Sequence, residues 1–214
     1  MNRPAAVIFD CDGVLVDSEP HSVAAWIDVL ATLDHPAGVP EIEACTGFGF
    51  SPTHDYLTAI APLPPKPDVW PLLLTALGRS FDGGLSVFPD GIATLEACEA
   101  AGLPVAVASA SPRGRLALTL RAAGLEGRFA VSVSGDDVAR GKPAPDCYLT
   151  AARGLGVEPT DCVAIEDSGP GAEAAVAAGM RTIAIVRPMS DREALVASGA
   201  EVVDALDPAL LGLG

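Results

Sequence analysis

Lysine is nearly absent from this sequence: Lys66 and Lys142 are the only two among 214 residues, and Lys and Arg together number 13 against 28 Asp and Glu. The formal net charge of −15 argues against nucleic acid as a partner, because that affinity rests on cations meeting phosphates. It argues equally against anionic membranes, which recruit polybasic segments. No apolar stretch approaches the ~18 residues of a membrane span, and no leader-like pattern precedes the strand-like segment that begins at Ala5. The expectation is a soluble, cytoplasmic protein. Cysteine pairs are also missing. Cys11, Cys45, Cys98, Cys147 and Cys162 form no CxxC, and no His stands at zinc spacing, so they read as reduced thiols, most of them small core residues. Only 19% of residues are charged while 50% are hydrophobic. That excludes the composition of a disordered chain and supplies a sizeable core.

What is present is an alternation. Ala5–Phe9, Pro104–Ala108, Cys162–Ile165 and Thr182–Val186 are short, apolar and rich in Val or Ile. Such runs suit strands buried on both faces of a parallel sheet, and 129–134 is a weaker fifth. Helix-like segments Gly91–Ala101, Pro112–Ala123, Pro145–Arg153 and Gly171–Ala178 lie between them, each ended by a glycine. The pattern predicts an α/β fold with a doubly wound parallel sheet. The stretch 18–82 differs. It holds helical patterns over Ser22–Leu33, Pro52–Ile60 and Val69–Arg79, and a proline cluster from Pro62 to Pro71, but no strand. The predicted organisation is a core of residues 1–17 and 83–214 with a small helical domain, 18–82, inserted after the first strand. Glycine-containing Phe81–Gly84 reads either as a hinge or as a surface loop.

Four segments carry chemistry, each just past a predicted strand. Asp10 and Asp12 close the first strand; extended residues two apart face one side, which would aim both carboxylates at one site. Asp12-Gly13 between apolar runs is equally a tight-turn signal, so this segment alone reads as turn or site. After the second strand comes Ser109-Ala110-Ser111-Pro112. Ser109 offers a hydroxyl to an anion, the amides nearby favour negative charge, and Ser111 reads as a helix N-cap with proline at the first helical position. Lys142 stands in the rigid loop Gly141-Lys142-Pro143-Ala144-Pro145, an uncommon place for a chance surface lysine in so lysine-poor a chain. Glu166-Asp167-Ser168 closes another buried strand; the acids suit a hard cation such as Mg²⁺, or Asp167 or Ser168 only caps the next helix.

Together these segments resemble the haloacid dehalogenase superfamily, in the branch with a helical cap after the first strand. Asp10-x-Asp12-Gly13-Val14-x-x-Asp17-Ser18 is similar to its first motif, Ser109 to its second, Lys142 to its third and Glu166-Asp167-Ser168 to its fourth. The resemblance covers nearly the whole chain. It implies a Rossmann-like core, Asp10 as nucleophile, Asp12 as general acid/base, and Ser109, Ala110 and Lys142 as phosphate-binding residues. It also implies Mg²⁺ held by Asp10, the backbone carbonyl of Asp12 and Asp167, with Glu166 direct or through water. The cation has a reason to be there: each like-charge pair at ~4 Å costs roughly 4 kcal/mol at an effective dielectric near 20, and Mg²⁺ with Lys142 offsets that repulsion.

The activity this resemblance implies is Mg²⁺-dependent hydrolysis of a small phosphorylated metabolite, such as a sugar phosphate, through an aspartyl-phosphate. The runner-up is a phosphomutase of the β-phosphoglucomutase type. Such mutases hold a distal phosphate with an Arg and a Lys on the cap loop, and the corresponding Thr46-Gly47-Phe48-Gly49-Phe50 has neither. A dehalogenase would lack Asp12, because a halide needs no proton. A phosphonatase needs a cap lysine for a Schiff base, and Lys66, among prolines, suits that poorly. A silent binding module would have lost the nucleophile or a metal acid, and none is lost. His21, Gly47, Phe48 and Phe50, with Trp26, are candidates for the cap side of a substrate pocket; Trp26 reads equally as cap core and His21 as a helix-start surface residue. A cap this small is compatible with a monomer.

Overall fold

The computed structural model describes residues 3–45 and 49–213. The chain divides into two compact units, Met1–Asp17 with Ser86–Gly214, and Ser18–Leu85. The second boundary falls three residues beyond the expected one, because the chain re-enters paired structure only at Ser86.

In chain order the elements are β1 (Ala6–Phe9), β2 (Val16–Asp17), α1 (Glu19–Thr32), α2 (Val39–Glu43), α3 (Phe50–Ile60) and α4 (Lys66–Phe81). There follow β3 (Ser86–Val87), α5 (Pro89–Ala100), β4 (Val105–Ala108), α6 (Arg113–Ala122), β5 (Val131–Val133) and α7 (Asp146–Leu155). The chain then runs through β6 (Cys162–Glu166), α8 (Gly169–Ala177), β7 (Arg181–Ile185), α9 (Arg192–Ala197) and β8 (Glu201–Val203). In the larger unit, six parallel strands lie in the order β5-β4-β1-β6-β7-β8. This is a doubly wound, Rossmann-like α/β fold. The strand order reverses between β1 and β6, so the crevice where open sheets bind ligands lies past the ends of those two strands. The expected run at 129–134 shortens to β5, while α2, α9, β8 and the short antiparallel pair β2–β3 carried no recognised signal.

Alternation sorts the central strands into two faces. Ala6, Ile8, Ala106, Ala108, Cys162 and Ala164 join one buried cluster with Cys147, Tyr148, Ala151 and Ala152 of α7 and Ala174 and Ala175 of α8. The register sets Ile8 against both Ala106 and Ala164. Small side chains on this face let α7 and α8 approach closely. Val7, Phe9, Val105, Val107, Val163 and Ile165 belong to the alternate positions, also buried, and near-continuous apolar strands of this kind are what a sheet covered on both faces needs.

The helical unit has its own core, made by Ala25, Trp26, Val29 and Leu30 of α1 and Val69, Leu73, Ala76, Leu77 and Phe81 of α4. Lys66 opens α4 and pairs with Asp55 at 2.8 Å. The proline segment is tied to α3 by the buried His54, whose Nε2 meets the Pro64 carbonyl at 2.8 Å. Among the described residues no helix is long and apolar enough to cross a membrane, and all five cysteines are buried free thiols.

Candidate active site

Asp10 leaves β1 with its amide bonded to the Ile165 carbonyl of β6 at 2.9 Å, so the first acid sits at the reversal point of the sheet. The chain then turns tightly: the amides of Leu15 and Val16 both donate to the Cys11 carbonyl (3.0 and 3.1 Å), and Gly13 N–H donates to the Val16 carbonyl (2.9 Å). The tight-turn reading of this segment holds, and Asp10 and Asp12 stand at the start of that turn. Gly13 adopts φ +82°, and a Cβ there would overlap the Asp167 carboxylate, so only glycine lets the acid of the β6 loop pack against this turn.

Lys142 is the hub. Its Nζ donates to Asp10 Oδ1 and Glu166 Oε1, each at 2.5 Å, to the Ala108 carbonyl at 3.0 Å and to Tyr148 Oη at 3.4 Å. Its side chain is 5% exposed and that of Glu166 is 0% exposed. Both oxygens of Glu166 are engaged. Oε1 accepts from Lys142 and from Tyr148 O–H (2.8 Å), and Oε2 accepts from the amides of Asp167 (3.0 Å) and Ser168 (3.2 Å) and the Ser168 hydroxyl (3.0 Å). A Cβ on Gly171 would strike this carboxylate. Ser168 also accepts from Gly171 N–H at 3.2 Å, which makes it the N-cap of α8, as one of the two readings of that segment had it.

Asp12 points to the β4 loop. Its Oδ2 accepts from the Ser111 hydroxyl at 3.2 Å, and Arg115 Nη2 lies 3.7 Å from its Oδ1. The expected N-cap role of Ser111 is corrected here: α6 starts at Arg113 with Pro112 at the cap position, and the Ser111 hydroxyl serves the acid instead. Ser109 is buried, and its Oγ accepts from Ser111 N–H at 3.0 Å. Ala110, the next residue, is exposed.

Six expected site residues, Asp10, Asp12, Ser109, Lys142, Glu166 and Asp167, thus follow β1, β4 and β6 or reach their ends. His21 and Phe50 lie in the helical unit. There His21 meets the Phe81 ring edge-on at 5.1 Å, and Phe50 packs between Trp26 (5.9 Å) and Trp70 (4.9 Å). Gly47 and Phe48 lie outside the described residues. Sequence reasoning missed Tyr148, Arg187, Asp90 and Ser190. The signal for Arg187 was available, since it follows the strand-like run 182–186 and so falls at the same sheet edge.

Electrostatics mark the site as crowded with negative charge. Burial raises the Asp10 carboxyl well above its ordinary range, with Lys142 opposing and Glu166, Asp167 and Asp12 reinforcing. Glu166 goes the other way: burial acts to raise it, but the charge and hydrogen bond of Lys142, helped by Tyr148 and Ser168, more than offset this. Asp167 is pushed up to about 8 by burial first and by Glu166 next. The oxygens of Asp10, Glu166 and Asp167 come within 4.8 Å of one another. Hard cations take carboxylate oxygens, and Asp10, Glu166 and Asp167 together carry more negative charge than Lys142 offsets, so the cluster beside the Gly13 turn fits such an ion. An acid whose folded pKa exceeds its ordinary 3.8 is held protonated by the fold. Its stabilising contribution is therefore complete below that value and is lost as pH rises toward 8. In chelator, the melting temperature should accordingly fall between pH 5 and pH 8, and Asp167→Asn should flatten that slope. An identical slope in the variant would show that other groups carry it.

A family model of haloacid dehalogenase-like hydrolases matches residues 4–179. The chain belongs to this family. This haloacid dehalogenase-like hydrolase is 35% identical over 199 residues to protein SUPPRESSOR OF QUENCHING 1, chloroplastic, of Arabidopsis thaliana; the match takes in 88% of this chain and only 18% of that protein. It is 33% identical over 186 residues to a fructose-1-phosphate phosphatase of Escherichia coli (strain K12), covering 85% of this chain and 96% of the relative. Among solved structures, it is similar to a putative β-phosphoglucomutase from Thermotoga maritima, with a TM-score of 0.80, 30% identity, and coverage of 97% of this chain and 96% of that one.

Proposed function

We propose that this hydrolase is a phosphatase that takes the phosphoryl group of a small phosphomonoester, most readily a sugar phosphate, onto Asp10. One observation carries the reading: a single buried ammonium, Lys142, is shared between Asp10 and Glu166 beside a third carboxylate, Asp167. A lysine so placed contributes positive charge where a phosphoryl group would meet Asp10, and likeness to the fructose-1-phosphate phosphatase supports the substrate class.

Asp10 and Asp167, with the backbone carbonyl of Asp12, are the residues that would hold Mg²⁺, and the ion would supply charge neutralisation for the phosphoryl oxygens. Glu166 has both oxygens satisfied by protein donors, so it would act through water and chiefly anchors Lys142. Asp10 attacks phosphorus in line and the ester oxygen leaves, giving an aspartyl-phosphate. Asp12, on the turn after β1, protonates that oxygen and then takes a proton from the water that releases phosphate. Ser109 and the Ala110 amide, at the end of β4, donate to the phosphoryl oxygens, with Lys142.

Asp12→Asn should lower kcat by ~10²–10⁴-fold, the usual contribution of a positioned acid/base, while leaving Mg²⁺ binding intact because its share in the ion is a backbone oxygen. Near-normal turnover in that variant would remove Asp12 from the chemistry.

The deciding experiment is phosphate release from a panel of phosphomonoesters, fructose 1-phosphate among them, in Mg²⁺ and in EDTA. Release confined to Mg²⁺ supports the reading, and release undiminished by EDTA overturns the metal's part in it. The likeness to the Thermotoga maritima structure favours a second reading, a phosphomutase. It would appear as interconversion of glucose 1-phosphate and glucose 6-phosphate without net phosphate release.

A further inference from the structure

The segment following β7 touches two of the loops that carry the site. Arg187 Nε donates to the Gly13 carbonyl at 2.8 Å, and its two terminal nitrogens grip Asp90 at 3.1 and 2.8 Å. Its guanidinium lies 4.0 Å over the Phe88 ring. Asp90 is itself fixed, accepting also from the amides of Gly91 (2.9 Å) and Leu206 (3.1 Å). Three residues on, Ser190 Oγ accepts from the Arg187 amide at 3.0 Å and donates to the Asp167 carbonyl at 2.6 Å. Arg187 and Asp90 side chains are 12% and 23% exposed, so the fork is largely shielded from water.

We propose that Arg187 and Ser190 are positioning residues, a clasp that holds the Asp12-Gly13 turn and the Asp167 loop at the separation a divalent cation requires. The inference rests on the metal-dependent reading above and concerns how tightly the ion is held. Three physical points favour it. Gly13 is at positive φ, a backbone that no side chain restrains; its N–H is held within the turn by the Val16 carbonyl, and Arg187 supplies the donor from outside the turn that holds its carbonyl. A planar guanidinium bonded through three nitrogens sets an orientation, which a point-charge ammonium does not. Asp167 Oδ atoms and the Gly13 backbone are packed so closely that a small slip of either loop changes the ligand spacing.

The test is thermal melting of the whole chain titrated with Mg²⁺ alone, for wild type, Ser190→Ala, Ser190→Thr and Arg187→Lys. Groups that orient ligands from behind are worth 10–100-fold in metal affinity, so Ser190→Ala and Arg187→Lys should each need about 10-fold more Mg²⁺ for the half-maximal rise in melting temperature. Ser190→Thr, which keeps the hydroxyl, should recover the wild-type midpoint. A residue that only staples the fold would lower the melting temperature in EDTA and leave the Mg²⁺ midpoint alone; that result overturns the clasp. If Arg187→Lys does not fold, the two Ser190 variants decide the matter. A wild type whose melting ignores Mg²⁺ defeats the metal reading, and the clasp with it; a wild type that responds alongside unaltered variants defeats the clasp alone.

Discussion

Asp10→Asn is expected to reduce Mg²⁺-dependent phosphate release by at least about 10³-fold, the scale on which hydrolases lose turnover with their nucleophile. Two features of the structure make this a clean experiment. Asparagine matches aspartate in shape, so the bond from the residue 10 amide to the Ile165 carbonyl and the packing of β1 are untouched. The fold also disfavours charge at this position, through burial first, with Glu166, Asp167 and Asp12 adding to it against the pull of Lys142. The neutral variant should therefore melt at or above the wild-type temperature in chelator. Inactivity with retained or raised stability places Asp10 in the chemistry and not in the fold, and an unchanged Mg²⁺ midpoint in thermal melting would then assign the loss to the nucleophile and not to the ion. Activity retained in this variant would send the search to another group and remove the aspartyl-phosphate from the proposal.

Lys142→Met should cost both activity and stability. The ammonium is buried against Asp10 and Glu166 at 2.5 Å each. Deleting one member of a buried charge cluster usually costs about 3–5 kcal/mol, because the surviving charges are left without compensation. For a chain of this size that is a fall of roughly 10 °C in melting temperature. The pH dependence has a definite sign. Without the lysine the folded state holds Asp10 and Glu166 protonated more strongly than the unfolded state does, so the deficit should shrink at pH 5 and widen at pH 8. Melting curves of the variant at both values check it; a deficit independent of pH would mean that lost packing, and not stranded charge, is the cause.

The sequence showed the strand-end acids because they break a simple rule: a buried apolar run seldom ends in paired carboxylates without a use for them. Asp10 and Asp167 were legible in that way, Lys142 because it is one of two lysines and stands in a Gly/Pro loop, and the parallel order of the strands follows from the same apolar runs. Tyr148 was not legible. On α7 it reads as a large apolar residue facing the sheet, and nothing local says that its hydroxyl lies 2.8 Å from a glutamate eighteen positions later. The bond between Arg187 and Asp90 joins residues 97 apart and has no periodic trace. Strand β8 and helix α9 are short and half-exposed, so their hydrophobic pattern is thin. Ser111 misled because Ser-Pro at a helix start has the chemistry of a cap, whereas the tertiary contact with Asp12 claimed the hydroxyl.

The pairing of Asp17 with Ser86 has a consequence for ancestry. The chain leaves the sheet-bearing unit and returns to it through two adjacent, antiparallel residues, so the ends of the helical segment between them are already joined at the neck. Closing a loop of any length then adds little to the entropy of folding, since that term grows only logarithmically with length. A segment spliced at such a neck can be shortened, lengthened or exchanged for an unrelated one while the strands outside keep their register. Diversity in such a lineage should therefore accumulate as whole inserts at this seam, and a chimaera cut between Asp17 and Ser18 and between Leu85 and Ser86 is where recombination would cost the sheet least.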